Sequence, residues 1–365
     1  MRIALDARLW AEPRSGIGRY TRSLAEALVR VAPGEAWTLY VDQRAGLALP
    51  GVDVRCLPTP RRLVWTLWHL PRDLRRRPVD VYHGVTGFEL PPRGRAALVT
   101  TVHDLIPLRF PALVPRRHRW VVRCLVGPAL RRAARVIAVS ETTRREILDR
   151  FRLPAAHVVV VPEAAGPGFA PPGPAALAAA RQRYGLERPY VLSVGLLEPK
   201  KNLAALFAAV ARLRATGDWG RTELVVVGAP GWGVDPAAHA RRLGVTDLVR
   251  FLGPVPDAAL PALYGGARAF AFPSIWEGFG LPVLEAMATG VPVVASDRGA
   301  LPEVTGGAAL LVEPTAAALA EALGQVLSDE ALRERLRAAG LARAAEFSWE
   351  RTARETLAVY RAVAS

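Results

Sequence analysis

The sequence predicts an α/β protein of two Rossmann-like domains, and three observations carry that prediction. Apolar strand-like runs alternate with helical patterns along almost the whole chain, as in parallel sheets built from βαβ units. The chain has 365 residues, more than one core usually supports when a domain runs to about 150 residues. A glycine- and proline-rich stretch, GPGFAPPGPAAL from Gly166, separates two such halves and reads as a linker. The expected limits are residues 1–170 for the first domain, 171–348 for the second and 349–365 for a closing helix.

In the first half, strands are expected over 3–7, 38–41, 79–83, 97–103, 136–139 and 158–161. Helices are expected over 18–31 and from Ser140, a good N-cap, to about Phe151. In the second half the strands are expected over 190–194, 223–227, 249–252, 269–272, 291–295 and 308–312, and the tail over 349–364 is helical. Open sheets of this kind take ligands at the carboxyl ends of their strands.

Composition agrees with a packed chain: 51% hydrophobic and 22% charged residues. Arg2, Asp6 and Arg8 interrupt the first apolar run, which therefore reads as a strand and not as a signal peptide. No run reaches the roughly 18 apolar residues of a membrane span, so a cytoplasmic location is expected. Cys56 and Cys124 lie far apart with no metal-ligand spacing, and both are expected to be small buried apolar groups. The net charge of +15 is uneven, with 28 basic against 14 acidic residues over 1–170 and 20 against 19 beyond. A basic half can meet an anionic lipid surface, a nucleic acid or a phosphorylated acceptor, or simply be a soluble arginine-rich surface.

The most informative segment is EGFGLPVLEAMATGVPVVAS, Glu277 to Ser296. Pro282 suits the first helical position and Gly290 the position just past the end, which predicts a helix over 282–289. Phe279, Gly280 and Leu281 before it carry no capping oxygen. Their backbone amides and the positive dipole end predict an anion site that the glycines let a diphosphate approach closely. Glu277 before the turn and Glu285, expected in the first helical turn, offer acceptors for sugar hydroxyls.

A second segment, YVLSVGLLEPKKNLAALFAAV from Tyr190, reads as strand, polar turn and helix from near Asn202. Its Lys200 and Lys201 are the only lysines among 48 basic residues, which argues for compact ammonium charges where arginine would not serve. After the first strand, WAEPRSGIGRYTRSLAEAL places Gly16 and Gly18 ahead of a helix, a weak signal alone. His103, beginning HDLIPLRFP, falls at the carboxyl end of a strand, where cleft residues lie, and Asp104 is expected to orient backbone.

These segments resemble the retaining glycosyltransferases of the GT-B fold, in the large group called family 4 that includes bacterial mannosyl- and glucosyltransferases. The Glu-seven-residues-Glu signature is met by Glu277 and Glu285. The resemblance covers nearly the whole chain and implies the GT-B fold: two Rossmann-like domains facing across a cleft, with FSWERTARETLAVYR crossing back to the first. It implies that Glu277 contacts the transferred sugar, that Glu285 holds the ribose hydroxyls, and that the amides of Phe279, Gly280 and Leu281 sit against sugar and phosphates. Lys201 would neutralise the departing diphosphate. Relatives often carry an arginine where Leu196 stands here, which leaves open whether Lys200 supplies a second charge. The loop at Gly16 would face the β-phosphate and acceptor, and His103 the sugar or a reacting oxygen once the domains close. Nucleotide sugar is then the donor, mannose the favoured hexose, and a saccharide or lipid-linked molecule the acceptor in surface polysaccharide or glycoconjugate synthesis.

Two other classes compete: a glycoside hydrolase, and a nonenzymatic nucleotide-sugar or polyanion-binding protein. A hydrolase would need one carboxyl kept as an acid, and nothing in the sequence argues for one. No Asp-x-Asp occurs in the chain, so no metal and no cofactor beyond the donor are expected. RRLVWTLWHLPRDLRRRP and PRRHRWVVRCLVGPALRRAAR mix tryptophan with arginine. They suit an anionic membrane surface and equally suit core helices with basic outer faces. No recognition motif accompanies the charge, so nucleic acid is not an expected partner.

Overall fold

The structure is a computed structural model, and it describes residues 1–11, 16–43, 47, 49–59, 61–92 and 94–364. The chain divides into two compact units. One comprises residues 1–111, 115–163 and 348–365, and the other residues 112–114 and 164–347.

The first unit holds a seven-stranded sheet of β1 (Arg2–Asp6), β2 (Ala36–Val41), β3 (Val52–Cys56), β4 (Val81–Gly84), β5 (Ala97–Val102), β6 (Arg135–Ala138) and β7 (Val158–Val160). Every described pair is parallel, in the order β3-β2-β1-β4-β5-β6-β7. The chain runs outward from β1 in one direction and from β4 in the other, so the switch point lies between β1 and β4. The sequence reading finds six of these strands and misses β3, an edge strand whose VDVRC stays partly exposed.

Ser140 caps the helix Glu141–Phe151 by accepting the Thr143 N–H, as its residue type predicts. The final helix, Trp349–Ala364, buries Trp349, Thr352, Ala353, Thr356, Leu357 and Tyr360, a single face at helical spacing. That face packs on the helix Gly16–Val31, and the Thr352 hydroxyl donates to the Pro162 carbonyl.

The second unit holds a six-stranded parallel sheet: β8 (Tyr190–Val194), β9 (Glu223–Val227), β10 (Val249–Gly253), β11 (Ala269–Phe272), β12 (Val293–Ser296) and β13 (Leu310–Val312). Its order is β10-β9-β8-β11-β12-β13, with the switch point between β8 and β11. Successive strand residues serve opposite faces. Val191, Leu224, Val226, Ala271 and Val294 pack with the helices Leu203–Thr216 and Ala316–Ser328. Leu192, Val225, Phe270, Phe272 and Val293 pack on the other side, with the helix Leu281–Ala288. Burial on both faces explains why ELVVV and AFAF read as continuous apolar runs and not as alternating ones.

The two cysteines depart from expectation. Cys56 is half-buried at the end of the edge strand, and Cys124 is exposed on the outer face of the helix Arg116–Arg132. Among the described residues, no helix is long and apolar enough to cross a membrane.

Candidate functional site

The two motifs of the second unit meet at the switch point between β8 and β11. The lysine turn follows β8 and the Glu277 turn follows β11, so strands adjacent in the sheet bring together residues 76 positions apart. Asn202 fixes the first turn. It takes a left-handed conformation, φ 54°, which asparagine tolerates better than most residues. Its side-chain amide donates to the carbonyls of Pro273 and Pro314. The Ile275 N–H closes the other side on the Lys200 carbonyl at 2.8 Å.

In that frame Lys201 Nζ donates to Glu277 Oε1 at 2.6 Å, and Lys200 Nζ lies 3.5 Å from Glu277 Oε2 and 3.6 Å from Glu198 Oε1. The Lys201 ammonium also sits 4.5 Å from the centre of the Phe272 ring, where a cation meets the negative face. Burial pushes the Glu277 carboxyl pKa up, but the charges of Lys200 and Lys201 outweigh it and hold the group at about 2. Burial pushes the Lys201 ammonium below its ordinary range against the opposing pull of Glu277, and Lys200 adds to the lowering. A cleft beside these groups is lined by Gly195, Leu196, Leu197, Lys201, Phe272 and Pro273.

The helix after the turn spans Leu281–Ala288, one residue earlier than expected. Gly280 caps it at φ +111°, and a Cβ there would stand 2.6 Å from Leu301 Cδ2. Intrahelical bonding begins with the N–H groups of Val283 and Leu284 on the Gly280 carbonyl, so the amides of Phe279, Gly280 and Leu281 have no partner within the helix. The Phe279 ring is buried edge-on against Phe347 at 6.0 Å, which leaves its backbone to form the turn. Glu285 differs from the sequence reading. It is the fifth helical residue, beyond the first turn, and it is buried, with the Tyr264 hydroxyl donating to its Oε2 at 3.1 Å.

In the first unit, Gly16 and Gly18 lie inside the first turn of the helix Gly16–Val31 and not ahead of it; residues 12–15 of that loop lie outside the described residues. Gly16 is exposed, with no atom of the described residues within 4 Å of its Cβ position. His103 follows β5, its Nδ1 lying 2.8 Å from Glu163 Oε1 and its Nε2 3.0 Å from the Val85 carbonyl oxygen. Asp104 orients backbone as expected, its Oδ1 accepting the Ile106 N–H.

The tryptophan- and arginine-rich segments form the helical stretch 62–76 and the helix Arg116–Arg132. Trp65, Leu70, Val122 and Val126 face one core. The outer faces expose Leu63, Leu67, Trp68 at 64% and Trp120 at 63%.

Sequence reasoning missed Glu163 and Tyr264, because a lone residue with a distant partner leaves no spacing signal. Asn202 carried a visible one, an asparagine directly after two lysines.

Comparisons with known proteins give the family and the fold. The family described as Glycosyl transferases group 1 matches residues 178–343, and Glycosyltransferase Family 4 matches residues 14–165. The O-antigen chain mannosyltransferase B of Escherichia coli is 38% identical over 306 residues, 83% of this chain and 77% of that protein. A D-inositol 3-phosphate glycosyltransferase of Nocardia farcinica is 32% identical over 364 residues, 94% and 80% of the two chains. Among solved structures, the sucrose-phosphate synthase of Thermosynechococcus elongatus has a TM-score of 0.79 at 24% identity, covering 100% of this chain and 99% of that one. Anabaena HepE in complex with UDP-glucose has a TM-score of 0.77 at 20% identity, covering 98% and 99%. The chain thus belongs to the glycosyl transferases group 1 family and is a glycosyltransferase built from the two Rossmann-like units of the GT-B fold.

Proposed function

We propose that the chain is a retaining, metal-independent hexosyltransferase. It takes a nucleotide diphosphate sugar, mannose by preference, and transfers the hexose to a saccharide or lipid-linked acceptor in surface polysaccharide or glycoconjugate synthesis. The observation that carries this reading is the cluster of Lys200, Lys201 and Glu277 beside the amides of Phe279, Gly280 and Leu281. Two ammonium groups and a helix N-terminus supply what a leaving diphosphate needs, with no divalent ion required. The likeness to a mannosyltransferase supports the choice of sugar, and the UDP-glucose complex of a protein with the same fold supports a nucleotide-sugar donor.

The chemistry then runs as follows. The bond from the anomeric carbon to the β-phosphate oxygen breaks with its electron pair on the phosphate, and Lys201 exchanges Glu277 for that charge. Glu277, released, accepts a sugar hydroxyl, while Glu285 takes the ribose hydroxyls in place of Tyr264. The acceptor oxygen bonds to the same face of the anomeric carbon, and its proton passes to the leaving phosphate. On the first unit, Gly16 faces the β-phosphate and acceptor, and His103 the sugar or a reacting oxygen. A Glu277 carboxyl held at about 2 cannot serve as a glycosidase acid, which disfavours hydrolysis.

Thermal-shift measurements against UDP, GDP, ADP and CMP and their sugars, with chelator present, test this reading. A shift with one diphosphate series, lost in Lys201→Ala and Glu285→Ala, is the expected result. No shift with any nucleotide in folded protein would defeat it and move the reading to a polyanion-binding protein.

The exposed tryptophans among arginines support an anionic membrane surface as a second partner, with the enzyme peripheral on the cytoplasmic face. The chain is expected to co-sediment with phosphatidylglycerol vesicles at low ionic strength and to lose that binding in Trp68→Glu/Trp120→Glu. No binding at low salt would exclude this partner.

A further inference from the structure

His103 is held on three sides by its own unit. Glu163 and the Val85 carbonyl take its two ring N–H groups, and the Tyr20 ring meets it edge-on, 4.7 Å between centres at 85°. Both polar partners are acceptors, so both nitrogens donate and no lone pair remains on the ring to take a proton. A ring in this state can present a hydrogen-bond donor and cannot act as a base.

The support behind Tyr20 is a chain of uncharged groups. The Tyr20 hydroxyl shares a hydrogen bond with Thr101 Oγ1 at 2.9 Å, Thr101 Oγ1 meets His83 Nε2 at 2.8 Å, and His83 Nδ1 meets the Tyr360 hydroxyl at 2.6 Å. Burial drives the His83 pKa down to about 3, with the charge of His103 adding to the effect. Glu163, 4% exposed, supplies the one ionic contact to the His103 ring among the described residues. The uncharged chain fixes where the ring stands, and Glu163 fixes what the ring can donate.

We propose that Glu163 is a positioning residue of the transferase. It holds His103 as a double donor at the carboxyl ends of β4 and β5, so that the Nε2–H trades the Val85 carbonyl for a sugar or acceptor oxygen. This rests on the proposed transferase reading, and it gives a reason inside the chain for the acceptor proton to leave by the phosphate oxygen: both nitrogens of the nearby imidazole face acceptors of their own unit.

The test is a double-mutant cycle on the full chain. Glu163→Gln is expected to lower kcat by about 10- to 100-fold, the range seen when an orienting partner is removed. Donor KM and Tm should stay unchanged. In a His103→Ala background the same substitution should cost nothing further, and an equal loss in both backgrounds overturns the proposal. The ring state is read without turnover by nitrogen-15 correlation of the imidazole. Two protonated nitrogens in native His103, with one proton lost in Glu163→Gln, are expected. A bare nitrogen in the native ring overturns the proposal whether or not the chain turns over nucleotide sugars. If no donor is turned over by the native chain, the transferase reading fails and the ring measurement alone decides the role of Glu163.

Discussion

Lys201→Ala is expected to lower kcat by about a hundredfold, the ~3 kcal/mol that one preorganised charge donor contributes at a leaving group. The variant, folded to the Tm of the native protein, should bind nucleotide diphosphate more weakly by calorimetry. The ammonium is the group nearest Glu277 Oε1, and Lys200 remains on Oε2 in the variant, so the carboxylate is not stranded and the fold should survive. Lys201→Arg should not restore activity, because the space between Gly195 and Phe272 fits a compact ammonium and not a planar fork. Full activity in Lys201→Ala would remove this residue from the mechanism. The pH dependence follows from Glu277. Its folded pKa, about 2, lies below the ordinary 4.5, so the stability its ion pairs contribute is complete above pH 4.5 and declines as pH falls toward 2. The acid branch of a melting series should lose that part in Glu277→Gln, with the pair intact throughout the neutral range.

Gly299→Ala is expected to be nearly as damaging, although this residue has no side chain to offer a substrate. Gly299 has φ +63°, and an added Cβ would stand 2.2 Å from the Glu277 carbonyl oxygen and 2.8 Å from the Glu277 nitrogen. Those are backbone atoms of the turn that carries the carboxylate, and the Ala300 N–H bonds that same carbonyl at 2.9 Å. The turn must move, and a displacement near 1 Å at a reacting group costs about a hundredfold in rate. The expected result is that loss in kcat/KM with weakened donor binding. Activity equal to the native protein would mean that the Glu277 turn tolerates displacement.

The fold was largely legible because both sheets are made of short apolar runs separated by helical patterns, which length and periodicity resolve. β3 was not, because Asp53 and Arg55 alternate with its apolar residues at an edge where none of the strand is fully buried. The Glu277 turn was legible as an anion site from its glycines and Pro282. Its pairing with Lys201 was not, since that depends on β8 and β11 being neighbours, which strand order decides and sequence spacing does not show. Glu285 was placed in the first helical turn because Pro282 marks the start, whereas Leu281 opens the helix and tertiary packing buries the carboxylate. The His103–Glu163 pair joins residues 60 positions apart at the ends of β5 and β7, a distance at which a single glutamate carries no signal.

The first unit takes its final helix from the last residues of the chain, and this has a consequence for the order of synthesis. The second unit draws nearly all its residues from the continuous stretch 164–347 and can close once that stretch has emerged. The first unit begins earlier and must finish later, because Trp349, Leu357 and Tyr360 cover the helix Gly16–Val31 and the buried face of His83. Domains usually complete from the N-terminus as the ribosome delivers them; here the nascent first unit waits with an uncovered apolar face until residues 348–364 have emerged. A chain stopped before residue 348 would leave that face open permanently, so the first unit produced alone needs the last helix supplied as a second piece.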